Sequence, residues 1–201
     1  MIVEPIFTQF IAKKVLNTSD KDLQELLKYL RDSIKDGGVY GQDTPVGNRA
    51  EAPEAFRVLE GKVQEGMDYL HEHMGLSTLY YQEIHESWLN FSQNQDISVP
   101  HRHPGNFLVA VYYPVSVLGS FLTLLNTDSA ADYEMPPGSI VRYTPETSSL
   151  HRVPVTGDTL IIMPSWMWHF VENVGREGES IERERFSIVF NARIRPIETI
   201  N

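Results

Sequence analysis

An α+β fold is predicted, in which two amphipathic helices precede a jelly-roll barrel (a double-stranded β-helix). Two observations carry this. Before residue 75, apolar residues recur twice at helical spacing. Beyond it, short apolar runs alternate with turns, and no helical period returns. No repeat, linker or low-complexity stretch divides the chain. The expectation is therefore one domain over 1–201, with a helical flank at 1–75 and a barrel core at 76–201.

In chain order, residues 1–17 follow no clean period and read as a short strand or extended arm. Ser19 suits a helix N-cap, with Asp20 and Asp22 in the first turn, where a helix favours negative charge. Leu23, Leu26, Leu27, Leu30 and Ile34 then form a core stripe, which Gly37-Gly38 ends. Residues 37–50 form a loop rich in Gly, Pro, Asn and Asp. A second helix opens near Pro53, buries Phe56, Leu59, Val63, Met67, Leu70 and Met74, and ends at His71–Gly75. Strand-like runs follow at 79–89, 107–113, 120–125, 139–143, 150–153, 159–163, 168–173 and 183–193.

The chain has 201 residues, enough for one domain with a real core. It contains no cysteine, which excludes disulfides, Fe–S clusters and thiolate zinc sites; any metal must be held by nitrogen and oxygen. The formal charge of −10 repels phosphate backbones, so no nucleic-acid partner is expected. No apolar run is long enough to span a bilayer and no signal peptide is seen, so a cytoplasmic protein is expected.

Three stretches carry chemistry. His101-Arg102-His103 lies in a loop running into the apolar stretch 107–113, and residues two apart in extended chain face the same way. Neutral imidazole is a common ligand for iron, zinc and copper. His169 follows a Pro164-Ser165-Trp166 corner, and an early and a late strand of a jelly roll can meet across the barrel mouth. Over 185–191 the period is two. Phe186, Ile188 and Phe190 share a face that suits packing under the helices, while Arg185, Ser187, Val189 and Asn191 face the barrel interior. A buried arginine is costly without an anion, and Arg with a nearby Ser hydroxyl makes a fork for a carboxylate; a strand arginine paired with Glu184 is the plainer alternative. A second pair, His71 and His73, sits at a helix end where residues two apart do not share a face. His85 reads as a hydrogen-bonded strand histidine.

The ordered set Trp88-Leu89-Asn90, His101-Arg102-His103-Pro104, Val111-Tyr112-Tyr113, Gly157-Asp158-Thr159-Leu160, Pro164-Ser165-Trp166-Met167-Trp168-His169 and Arg185-Phe186-Ser187-Ile188-Val189-Phe190-Asn191 resembles the 2-oxoglutarate (2OG), Fe(II)-dependent oxygenases. More narrowly, it resembles the 2OG-Fe(II) oxygenase family found in bacteria and marine phages, over about residues 76–195. The chain departs from that pattern at Val109-Ala110, Asn126-Thr127 and Met163, positions expected to line a substrate pocket.

The resemblance implies Fe(II) held by His101, His103 and His169. The superfamily at large has an acidic residue where His103 stands, so His103 is either a third ligand or a group behind the metal or toward substrate. Arg185 and Ser187 would hold the distal carboxylate of 2OG, with Tyr112 and Asn90 helping to bind the co-substrate and Asn106 and Trp168 lining the substrate pocket. Side chains such as Tyr112 and Trp168 are more often core aromatics than contacts. The implied reaction hydroxylates a C–H bond of a small molecule or peptide, with succinate and CO2 as co-products. Two other classes stay open at this point: a cupin-like Zn- or Mn-dependent hydrolase or isomerase, and a non-catalytic jelly-roll module. A homodimer is also left open. Specificity is expected from the loop 37–50 and the turn 126–138.

Overall fold

The structure is a computed structural model, and it describes residues 9–35, 44–45, 52–93, 98–127, 139, 141–142, 144, 147–173 and 184–197. The elements in order are β1 (Ala12–Val15), α1 (Asp20–Lys35), β2 (Thr44–Pro45), α2 (Glu54–His73), β3 (Tyr80–Gln93), β4 (Leu108–Tyr113), β5 (Ser120–Leu125), β6 (Leu150–Pro154), β7 (Thr159–Pro164), β8 (His169–Asn173) and β9 (Glu184–Pro196). The N-cap of α1 is the expected one: the Asp22 amide donates to Ser19 Oγ at 3.2 Å, and that hydroxyl donates to the Asp22 carboxylate at 2.7 Å.

The strands form two antiparallel sheets. The larger runs β1-β7-β4-β9-β3-β2 and the smaller β6-β5-β8. One apolar cluster lies between the helices and the large sheet. There Leu26 and Leu30 of α1 and Phe56, Leu59, Val63, Met67 and Leu70 of α2 meet Leu89, Leu108, Phe186, Ile188 and Phe190. A second lies between the two sheets and contains Val109, Val111, Tyr113, Leu122, Leu124, Ile161, Met163 and Val189. The large sheet is thus apolar on both faces over much of its area, and β4 and β7 are buried at every position.

The period-two reading of 185–191 holds. Phe186, Ile188 and Phe190 pack under the helices, and Arg185, Ser187, Val189 and Asn191 turn toward the space between the sheets. β3 pairs along its length with β9, with one bulge: Ile84 faces Ala192 and Glu86 faces Asn191, so His85 is an extra residue. The bulge reverses the alternation. Ile84, Leu89 and Phe91 pack on the helix side, whereas Glu86, Trp88, Asn90 and Ser92 line the barrel side.

Two expectations are corrected. The apolar run 139–143 was expected as a strand, but Val141 and Arg142 form a bend. The loop 37–50 contains a two-residue strand, Thr44–Pro45, paired with Leu89 and Trp88 of β3. The rest of that loop and residues 128–138, where specificity elements were expected, lie outside the described residues.

Candidate metal centre

The site is assembled across the seam between the sheets. His101 and His169 form an isolated antiparallel bridge, each amide donating to the other's carbonyl at 2.9 Å. The His103 amide donates to the Ser165 carbonyl at 2.9 Å, and Ser165 returns its own amide to Phe107 O at 3.0 Å and its hydroxyl to Asn106 O at 2.6 Å. The Pro164-Ser165-Trp166 corner is therefore laced to the histidine loop. Gly105 closes that loop at φ +82, in the left-handed region.

Chain segments far apart in sequence thus bring three imidazoles together. Ring centroids are 4.5 Å apart for His101–His169, 5.1 Å for His103–His169 and 5.3 Å for His101–His103. One nitrogen from each lies within 4.8 Å of the others. His103 and His169 are buried, while His101 is exposed. Each Nδ1 already faces an oxygen acceptor: Val99 O at 2.8 Å for His101, Met167 O at 2.9 Å for His169, and Asn191 Oδ1 at 2.9 Å for His103. A backbone carbonyl can only accept, so Nδ1 of His101 and His169 carries the proton and Nε2 the lone pair. Nε2 of His103 is buried without a hydrogen-bond partner among the described residues.

Burial favours the neutral form of His103 and His169. It pushes His169 down to about 3, helped by the neighbouring His101 and His103, against the opposing bond to Met167. His103 is lowered chiefly by burial and then by His101, with Asn191 and Glu86 working the other way. Three convergent imidazole nitrogens, one of them otherwise stranded, fit a divalent metal of intermediate softness such as iron.

The histidines open onto a cavity of about 930 Å³. At a distance from them along β9 lie buried Arg185, which donates to Ser120 Oγ at 3.3 Å, and Ser187. The fully buried Tyr113 hydroxyl has no hydrogen-bond partner among the described residues. Desolvation drives its pKa upward and the Arg185 charge opposes that, so it stays a neutral O–H donor beside a cation.

A family profile described as Putative 2OG-Fe(II) oxygenase matches residues 86–191. The chain belongs to the 2OG-Fe(II) oxygenase family. It is a 2OG- and Fe(II)-dependent oxygenase, with Fe(II) as cofactor and 2OG as co-substrate. No curated protein matches the sequence. Solved structures share the fold. A prolyl-4-hydroxylase from Pseudomonas putida matches at 14% identity and TM-score 0.59, covering 92% of this chain and 93% of that one. A prolyl hydroxylase from Trichoplax adhaerens, in complex with a hypoxia inducible factor peptide fragment, matches at 11% and 0.62, covering 92% and 84%. HygX from Streptomyces hygroscopicus, with nickel and 2-oxoglutarate bound, matches at 9% and 0.56, covering 92% and 83%.

Within this oxygenase the sequence-based candidates are mostly brought to one cavity: His101, His103, His169, Arg185, Ser187, Asn90 and Asn106 all line it. Tyr112 does not. It stands on the helix side of β4 and gives its hydroxyl to Asp158 at 2.9 Å; its neighbour Tyr113 lines the cavity. Trp168 is also outside the lining, with its ring 5.3 Å from the Arg102 guanidinium. Val109, Ala110 and Met163 are buried core, and neither they nor Asn126 and Thr127 line the cavity. His71 and His73 lie elsewhere: His71 Nε2 is 3.0 Å from Ser77 O, and His73 stacks on Tyr69.

Four lining residues escaped the sequence reading of the site: Tyr113, Trp88, Glu86 and Asn191. The Trp88 ring stacks on His103 at 5.6 Å and 17°, and Asn191 donates to Glu86 Oε2 at 3.0 Å. Trp88 and Asn191 stood in motifs already singled out; alternation had turned Asn191 toward the barrel interior, whereas the bulge at His85 hid Trp88 from that signal.

Proposed function

We propose that His101, His103 and His169 hold the iron through Nε2, and that Arg185, Ser187 and Tyr113 hold the distal carboxylate of 2OG. When bound, the metal supplies activation of dioxygen for C–H hydroxylation, with succinate and CO2 as co-products. The chain's own part is positional. His103 and His169 present lone pairs at no cost in deprotonation, since burial keeps them neutral near pH 7. Arg185 offers a planar fork and Ser187 and Tyr113 hydroxyls, so a carboxylate entering this buried end finds charge and donors in place. The sheets line the inner part of the cavity with apolar residues such as Val111, Leu122, Val171 and Val189. The observation that carries the reading is the stranded Nε2 of His103 between two further imidazoles.

The substrate is read as a small molecule or peptide, given the cavity's size and the peptide fragment held by the Trichoplax neighbour. No helix among the described residues is long and apolar enough to cross a membrane, and a cytoplasmic setting suits a chain without cysteine. The whole chain is taken as one domain, and a homodimer remains compatible with it.

Anaerobic titration of metal-free protein with Fe(II) and then 2OG tests this. A visible charge-transfer band should need both additions and vanish in His169→Ala. In Arg185→Ala, half-saturation by 2OG should rise by about 30-fold or more, the loss expected for a buried charge pair. Tight Zn(II) binding without any such band, or unchanged 2OG saturation in Arg185→Ala, would refute the assignment.

A further inference from the structure

We propose that Glu86, acting through Asn191, is a positioning residue for His103: it fixes which ring nitrogen faces the metal and supplies the negative charge that a third imidazole leaves the site without. This rests on the three-histidine reading above. A carboxylate only accepts hydrogen bonds, so the contact of 3.0 Å between Glu86 Oε2 and Asn191 requires the Asn191 NH2 to point at Glu86. The amide oxygen is then committed to His103 Nδ1 at 2.9 Å, which must carry the proton, and the lone pair is left on Nε2. An asparagine without Glu86 could turn over and present NH2 to the ring. That would make Nδ1 the acceptor, put the proton on Nε2 and block the metal.

His101 and His169 need no such help. Their Nδ1 groups donate to Val99 and Met167 carbonyls two residues away, which local chain geometry fixes. His103 alone of the three relies on a side chain that can present either face. Three neutral imidazoles leave a divalent ion at +2, whereas one carboxylate ligand would reduce it to +1. Glu86 lies one amide away from His103, so it returns part of that charge without taking a coordination position. The fold builds the arrangement deliberately: the extra residue at His85 brings Glu86 opposite Asn191 and Trp88 onto the His103 ring.

The test compares wild type, Glu86→Gln and His169→Ala. Glu86 is exposed at the cavity mouth, so its replacement should leave the fold intact. Metal-free protein with 15N-labelled histidine is examined by NMR, and Co(II) and Fe(II) affinities are measured anaerobically by competition with a chromogenic chelator. Wild type should show His103 as the single Nδ1–H tautomer. Glu86→Gln, whose amide can itself donate, should show mixed tautomers and about 10- to 100-fold weaker metal binding, as expected for an outer partner of a ligating histidine. Affinity within twofold of wild type in Glu86→Gln would overturn the proposal, and an unmixed tautomer would overturn the orienting role. If wild type binds no Co(II), or His169→Ala binds it as tightly, the three-histidine reading itself falls.

Discussion

His169 illustrates how a single residue ties stability to the site. Its folded pKa is pushed down from 6.5 to about 3, mainly by burial. Between those values the unfolded chain binds a proton at this histidine and the folded chain does not. Stability is therefore lost as pH falls from about 6.5 toward about 3, at up to about 1.4 kcal/mol per pH unit from this group. His103, lowered in the same direction, adds to the slope. Urea midpoints of the metal-free protein between pH 7 and pH 5 should show the fall, and His169→Ala should flatten it. The residue scale also shows where the sequence was legible. Arg185 and Ser187 could be assigned to the barrel interior because Phe186, Ile188 and Phe190 contrast with them. Tyr112 and Tyr113 could not be told apart, since β4 is buried on both faces and its alternation carries no polar signal.

Among the elements, β3 holds the largest surprise. Its helix-facing and barrel-facing residues exchange parity at His85, so a strict alternation read from Ile84 onward assigns Glu86 and Trp88 to the wrong side. That is why these two were missed while the helices, whose stripes and caps are local signals, were found to within a few residues. The bulge also separates chemistry from register. His85 Nε2 bonds Asn106 Oδ1 at 2.6 Å, so His85→Ala should cost only about 1 kcal/mol and keep metal affinity. Deleting His85 should instead force either 80–84 or 86–93 to turn inside out and abolish Co(II) binding. Chelator competition and circular dichroism on the two variants check this; retained binding in the deletion would mean the extra residue does not set the faces.

At the scale of the whole molecule, the two sheets and the helices form three layers with a core on either side of the large sheet. The histidines sit where the smaller sheet meets the loop leading into the larger one, and Asp158 fastens the opposite end. That residue, at φ +53, takes the Thr18 amide at 2.8 Å, the Thr18 hydroxyl at 2.6 Å and the Tyr112 hydroxyl at 2.9 Å, tying the chain entering α1 to β4. The layers were legible because helical and strand-like halves follow one another in the chain. The pairing of His101 with His169 was not, because nothing local specifies which distant strand a loop will meet.

That reciprocal bridge carries a kinetic consequence. Its two amide hydrogen bonds join His101 directly to His169, and both rings belong to the proposed metal site. On the three-histidine reading, opening the seam to solvent pulls two of the proposed ligands apart at once. Hydrogen–deuterium exchange at these two amides should therefore slow together, in proportion to metal occupancy, while exchange on the far side of the large sheet in α1 and α2 stays unchanged. On that reading the mouth of the barrel opens less when loaded than when empty, and the neighbouring Ser98–Val171 and His103–Ser165 backbone bonds part with it.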